Sequence, residues 1–84
     1  MKVKRNIAVS ESGFLFNPST GDSYSINPIG QEIFKMLQEG HSREEVKAHV
    51  LANYLTDEAM FEKDFYDFEV MLKNYKLVQK EDNE

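Results

Sequence analysis

The 84-residue sequence predicts an α+β fold: a three-stranded antiparallel sheet followed by three helices, like a winged helix-turn-helix. Three observations carry this. Apolar residues alternate with period two up to Ile26, they recur at helical spacing from Asn27 onward, and cap or turn residues stand at each change.

Ile7 and Val9 alternate in the first strand run, Phe14 and Phe16 in the second, Tyr24 and Ile26 in the third. Ser10-Glu11-Ser12-Gly13 separates the first two runs and Asn17-Pro18-Ser19-Thr20-Gly21 the next two. Pro18 suits the second position of a type I turn, and Gly21 suits a left-handed residue closing a bulged hairpin. Period two puts Tyr24 and Ile26 on one face and Ser23 and Ser25 on the other, and the aromatic face is expected to point inward.

Asn27 is a good N-cap, and Pro28 fits the first helical position, where its missing N–H costs nothing. Ile29, Ile33 and Leu37 follow at helical spacing, with Phe34 and Met36 beside them, and Gly40 is a natural stop. Ser42-Arg43-Glu44-Glu45 has the spacing of a capping box and opens a second helix carrying Val46, Val50 and Tyr54. Thr56 or Asp57 caps a third, longer helix whose stripe is Phe61, Phe65, Phe68 and Leu72. Leu77 and Val78 form a short final packing segment. Residues 1–78 are thus expected to make one domain, and residues 79–84 a disordered charged tail.

Composition narrows the function classes. Without cysteine there are no disulfides, thiolate metal sites or cysteine nucleophiles, and a small unstapled domain fits the cytoplasm. The basic start Met1-Lys2-Val3-Lys4-Arg5 is not followed by an apolar signal segment, and no run approaches the roughly 20 apolar residues of a membrane span. Net charge is −5, and residues 57–69 hold Asp57, Glu58, Glu62, Asp64, Asp67 and Glu69 against Lys63 alone. Such a surface repels nucleic acid and anionic lipid.

His41 and His49 have no partner at metal-ligand spacing and are expected to be surface or satisfied histidines. Glu62, Asp64, Asp67 and Glu69 spread over more than one helical face, as a solvated surface does, and no glycine-turned calcium loop is present. Met36, Met60 and Met71 are expected to fill core gaps. No nucleophile motif, phosphate loop or base-orienting pair occurs, so neither catalysis nor a metal or cofactor is expected.

The third strand is harder to dismiss. Asp22–Ile26 carries no lysine or proline to discourage pairing, and such an edge can accept an added peptide strand. The bland alternative is an edge covered by the third helix, with Tyr24, Ile26, Phe65 and Phe68 as plain core.

The pattern Gly21-x-x-Tyr24-x-Ile26-Asn27-x-x-Gly30-x-x-Ile33, then Gly40-x-Ser42-x-x-Glu45-Val46, Tyr54, Asp64-x-x-x-Phe68-x-x-x-Leu72 and Leu77-Val78, resembles the PqqD family over roughly Val3 to Val78. Where that family often has a glycine just before its final apolar pair, this chain has Tyr75-Lys76. The resemblance implies a non-catalytic domain that binds the leader of a ribosomally made, post-translationally modified peptide. The leader adds a strand to the third strand and lies against the third helix. The domain then presents it to a modifying enzyme, commonly a radical S-adenosylmethionine enzyme, in PQQ synthesis or another peptide pathway. Carried onto this chain, Ser23, Tyr24, Ser25 and Ile26 form one wall, with Phe65, Phe68, Glu69 and Leu72 on the other. The resemblance implies no metal or cofactor.

Two rival classes remain. A DNA-binding winged helix would need bases on its third helix, whose span Asp57–Asn74 has six acids against Lys63 and Lys73. A regulatory domain that docks to a protein through the acidic helix is the other. The protein is expected to be mainly monomeric, with weak dimers through the third strand at high concentration.

Overall fold

The structure, a computed structural model, describes residues 2–79. Its elements run in the predicted order: β1 (Ala8–Ser10), β2 (Phe14–Asn17), β3 (Asp22–Ser25), α1 (Pro28–Gln38), α2 (Arg43–Asn53) and α3 (Glu58–Asn74). The strands form one antiparallel sheet in the order β1-β2-β3. Gly21 closes the β2–β3 hairpin at φ 81°, its N–H donating to the Asn17 carbonyl at 2.8 Å. Residues 80–84, most of the expected tail, lie outside the described residues.

Tyr24 and Ile26 point inward as expected, with Ile7 and Val9, but β2 does not turn its aromatic face in. Register places Val9 opposite Leu15 and Leu15 opposite Tyr24, and this is the face that meets the core. Phe14 and Phe16, 45% and 41% exposed, lie on the outer face beside Ala8, Ser10, Ser23 and Ser25. Alternation sorts residues into two sets but does not say which set faces in. Here the deciding partners are Val9 and Tyr24, which leave Leu15 as the β2 residue that packs inward. Asn17, 4% exposed, shares that inner phase, and its Oδ1 accepts the Ser19 N–H at 3.0 Å inside the turn.

Local chemistry sets the helix ends. Asn27 Oδ1 accepts the Gly30 N–H at 2.7 Å, and Asp57 Oδ1 accepts the Met60 N–H at 2.8 Å. The capping box is reciprocal: Glu45 N–H donates to Ser42 Oγ at 3.1 Å, and Ser42 N–H donates to Glu45 Oε1 at 2.9 Å. α1 ends in a Schellman turn, with Gly40 at φ 92° and the His41 N–H donating to the Met36 carbonyl at 3.0 Å. α3 ends the same way without glycine. Lys76 takes φ 58°, and the Leu77 N–H reaches the Leu72 carbonyl at 2.9 Å.

That turn sends the chain back to its beginning. Val3 and Val78 form an antiparallel bridge, the Lys4 N–H donates to the Leu77 carbonyl at 2.8 Å, and the Gln79 N–H donates to the Lys2 carbonyl at 2.7 Å. Val3, Ile7, Leu15, Phe34, Leu72 and Leu77 make one buried cluster under the sheet. Ile33, Val46, Val50, Phe61 and Phe65 make a second among the helices. Leu37 and Phe68 pack against both and join them. Among the described residues no helix is long and apolar enough to cross a membrane.

Candidate functional site

β3 is an outer strand, and its main chain has a definite orientation. The Ile26 N–H donates to the Gly13 carbonyl at 2.9 Å, continuing the register in which Ser25 faces Phe14 and Tyr24 faces Leu15. In an antiparallel ladder, hydrogen-bonded and non-bonded pairs alternate. The main chain of Ile26 and Tyr24 therefore turns toward β2, and the N–H and C=O groups of Ser23 and Ser25 turn outward. Among the described residues no fourth strand pairs with this edge.

Near the opposite edge, three carbonyls are bonded by side chains of α1. Gln38 Nε2 donates to the Ile7 carbonyl at 2.8 Å and to the Lys4 carbonyl at 3.2 Å, and Gln31 Nε2 donates to the Ser10 carbonyl. α1 thus holds β1 with two side-chain amides.

Beyond the end of β3 a groove of about 560 Å³ opens between the helices. The first turns of α1 contribute Asn27, Ile29, Gly30 and Ile33, the end of α2 and its following loop contribute Val50, Tyr54, Leu55 and Thr56, and α3 contributes Met60, Phe61, Asp64, Phe65, Asp67, Phe68 and Met71. Gly30 makes the junction possible. A Cβ there would lie 2.8 Å from Cγ1 of Ile26, so glycine lets Ile26 fold over the start of α1.

The sequence-predicted residues divide among three places. Ser23 and Ser25 are exposed on the open edge, and Tyr24 and Ile26 are half-buried against the sheet core. Tyr24 stacks on Tyr75 with ring centroids 4.1 Å apart, which couples β3 to the end of α3. Phe68, half-buried, lines the groove, and Phe65 borders it but is 2% exposed and belongs to the helical core. Leu72 is 0% exposed and belongs to the core, so it offers the groove no surface. Glu69 opens instead into a separate depression with Leu37, His41, Ser42, Arg43 and Phe65. Met60, expected in the core, is exposed and lines the groove with Met71. Ile29, Leu55 and Tyr75 were not singled out for the site by the sequence. Ile29 and Leu55, exposed apolar residues next to helix caps, were the available signal.

A polar network backs the groove. Glu32 accepts from the Tyr54 hydroxyl and pairs with His49 Nε2, and Asn53 Nδ2 donates to the His49 carbonyl at 2.8 Å. The Tyr54 bond, then the His49 bond, holds the Glu32 carboxyl below its ordinary value, and Glu32 in turn pushes the Tyr54 hydroxyl up. On the far side of α3, Glu62 joins Arg43 to Lys47, whose Nζ lies 3.0 Å from Oε2, and both bonds lower its pKa. Burial first, then Asp22, raises the Tyr24 hydroxyl. His41 lies within 3.7 Å of Glu39 and 3.3 Å of Glu45. Among the described residues no three His, Cys, Asp or Glu are grouped to hold a metal ion.

The fold and site define a small α+β domain with an open β3 edge and, past the end of that strand, an apolar groove between the helices. The chain belongs to the PqqD family: the family model described as "Coenzyme PQQ synthesis protein D (PqqD)" matches residues 13–78. A solved structure of "TbiB1 in Complex with the TbiA(beta) Leader Peptide" is similar with a TM-score of 0.82 and 26% sequence identity, covering 99% of this chain and 100% of that one. No curated protein matches the sequence.

Proposed function

We propose that this protein is a non-catalytic peptide-binding domain that captures the leader of a ribosomally made precursor peptide and presents it to a separate modifying enzyme. Membership of the PqqD family and likeness to a protein solved with a leader peptide support peptide binding. The observation that carries the mechanism is the outward main chain of Ser23 and Ser25, in a strand that leads into the groove lined by Asn27 and Phe68.

The leader adds a strand to β3. Each main-chain hydrogen bond contributes about 1 kcal/mol net. Apolar leader side chains entering the groove add about 25 cal/mol per Å² buried. Ordering a flexible peptide offsets much of this, which leaves an affinity on the order of micromolar to submicromolar. Ser23, Tyr24, Ser25, Ile26 and Phe68 are the proposed contacts, while Phe65 and Leu72 support Phe68 from within the core. The enzyme that receives the leader is of the radical S-adenosylmethionine type or another leader-dependent modifier. The open edge also lets two copies pair weakly at high concentration.

The test is amide chemical-shift mapping with the leader of a precursor peptide encoded beside this protein's gene. Shifts at residues 22–26 and at Phe65 and Phe68 are expected. Shifts confined to β1 and α2 would overturn the placement.

A further inference from the structure

We infer that the groove selects leaders in which a large apolar side chain is accompanied by a lysine or arginine, the cation going to Asp64 and Asp67 of α3. The inference rests on leader capture as proposed above and adds the chemistry of the segment captured.

The groove floor is apolar and soft. Beside Phe68, Met60 and Met71 accommodate varied side-chain shapes, since unbranched thioethers repack readily. A volume of about 560 Å³ falls within the range of pockets that enclose a ligand group. The charged residues lining it are both acids, Asp64 and Asp67, and none of the lining residues is Lys, Arg or His. Asp64 and Asp67 stand three residues apart, which places them on neighbouring positions of one helix face. Lys63 reaches Asp67 at 3.2 Å, but both side chains of this pair are well exposed, so the bond is weak and readily exchanged. The remaining charges on the adjoining elements do not reverse the sign. Asp57 is engaged as the α3 cap, and Glu32, behind Tyr54, is another acid. An apolar slot with an acidic rim, weakly compensated at Asp67 alone, complements a peptide whose apolar side chain is followed by a cation.

The probe is a displayed library of random peptides of about twelve residues, which at ~3.3 Å per residue in a strand spans the longest dimension of the domain, 36 Å. Selection is run on the immobilised protein and on its Asp64→Asn/Asp67→Asn variant, below about 0.1 M ionic strength to limit screening. Winners on the unmodified protein are expected to combine aromatic or aliphatic residues with Lys or Arg. On the double variant the apolar preference should remain and the basic preference disappear. An individual winner should lose about three- to tenfold in affinity for the variant, as fits partly exposed ion pairs. Lys63→Gln should strengthen the basic preference by freeing Asp67. Circular dichroism checks that each variant is folded. Apolar winners without Lys or Arg, or a basic preference unchanged in the double variant, would overturn this inference and leave leader capture standing. No enrichment at all, or winners that leave the amide signals of residues 22–26 unmoved, would overturn both.

Discussion

The two outer strands of the sheet are similar in length but differ in what lies beside them. Beside β1, Gln38 and Gln31 supply donors to the Ile7, Lys4 and Ser10 carbonyls. Beside β3, the chain supplies no fourth strand, and Ser23 and Ser25 keep their main-chain groups turned outward. Carbonyls bonded by side chains add to the fold's stability. An edge whose groups are left to water costs the folded state little and keeps a capacity to pair. Under the proposed function β3 is the working edge, and substitutions test the difference strand by strand.

The largest expected contrast lies between neighbours on β3. Tyr24→Pro removes a donor that faces β2 and breaks the Tyr75 stack, so it should destabilise the fold by on the order of 3 kcal/mol. Ser25→Pro removes a donor that faces outward. It should leave the denaturation midpoint nearly unchanged and weaken leader binding about tenfold, close to 1.4 kcal/mol. Urea titration beside a binding isotherm checks both, and equal loss of stability in the two variants would erase the proposed orientation.

Next in size is the β1 side of the sheet. Gln38→Ala strips the Ile7 and Lys4 carbonyls of their donor and should cost about 1–3 kcal/mol with no change in leader affinity. A binding loss with stability intact would mean that β1, not β3, is the working edge.

A smaller effect, of opposite sign, is expected at the stitch that holds the chain ends. Lys76 sits at φ 58°, where a side chain costs about 1–2 kcal/mol. Lys76→Gly relieves that cost but loosens the unfolded chain, for a net gain of about 0.5–1 kcal/mol. Thermal unfolding should show the increase, and a decrease would mean that Lys76 makes compensating contacts.

The smallest effect is in pH dependence. The folded-state pKa of Glu32 is lowered from the ordinary 4.5, so its contribution is present above that value and fades as pH falls below it. Glu32→Gln should therefore lose stability less steeply than the unmodified protein between about pH 5 and pH 3. Glu45 and Glu62, lowered likewise, retain the rest of the slope. Identical slopes in the two proteins would exclude Glu32 from the acid transition.

The helices were legible in the sequence because their ends are local chemistry. Asn27, Ser42 with Glu45, Asp57 and Gly40 each act within a few residues, and each does in the structure what its type and spacing predict. The facing of β3 was legible too, but that of β2 was not, because the choice between Leu15 and its neighbours Phe14 and Phe16 depends on Val9 and Tyr24 across the ladder. The groove was half legible. The α3 stripe pointed to Phe65 and Phe68, yet a helix turns 100° per residue, so Glu69 faces elsewhere and Leu72 falls into the core. Ile29, Leu55 and Met60 come from three segments that meet only in the folded molecule, and no spacing along the chain announces such a meeting.

The Val3–Val78 bridge has a further consequence, for how such a domain can be wired to others. The chain enters and leaves the fold at adjacent points, about one strand spacing or ~5 Å apart. A host protein could carry the domain within a surface loop without its own loop ends being forced apart. A tether attached near Lys2 and one attached near Gln79 start from the same patch of surface, since these residues are joined by a 2.7 Å hydrogen bond. An attached enzyme would therefore meet the groove from a similar starting position whichever terminus joined it.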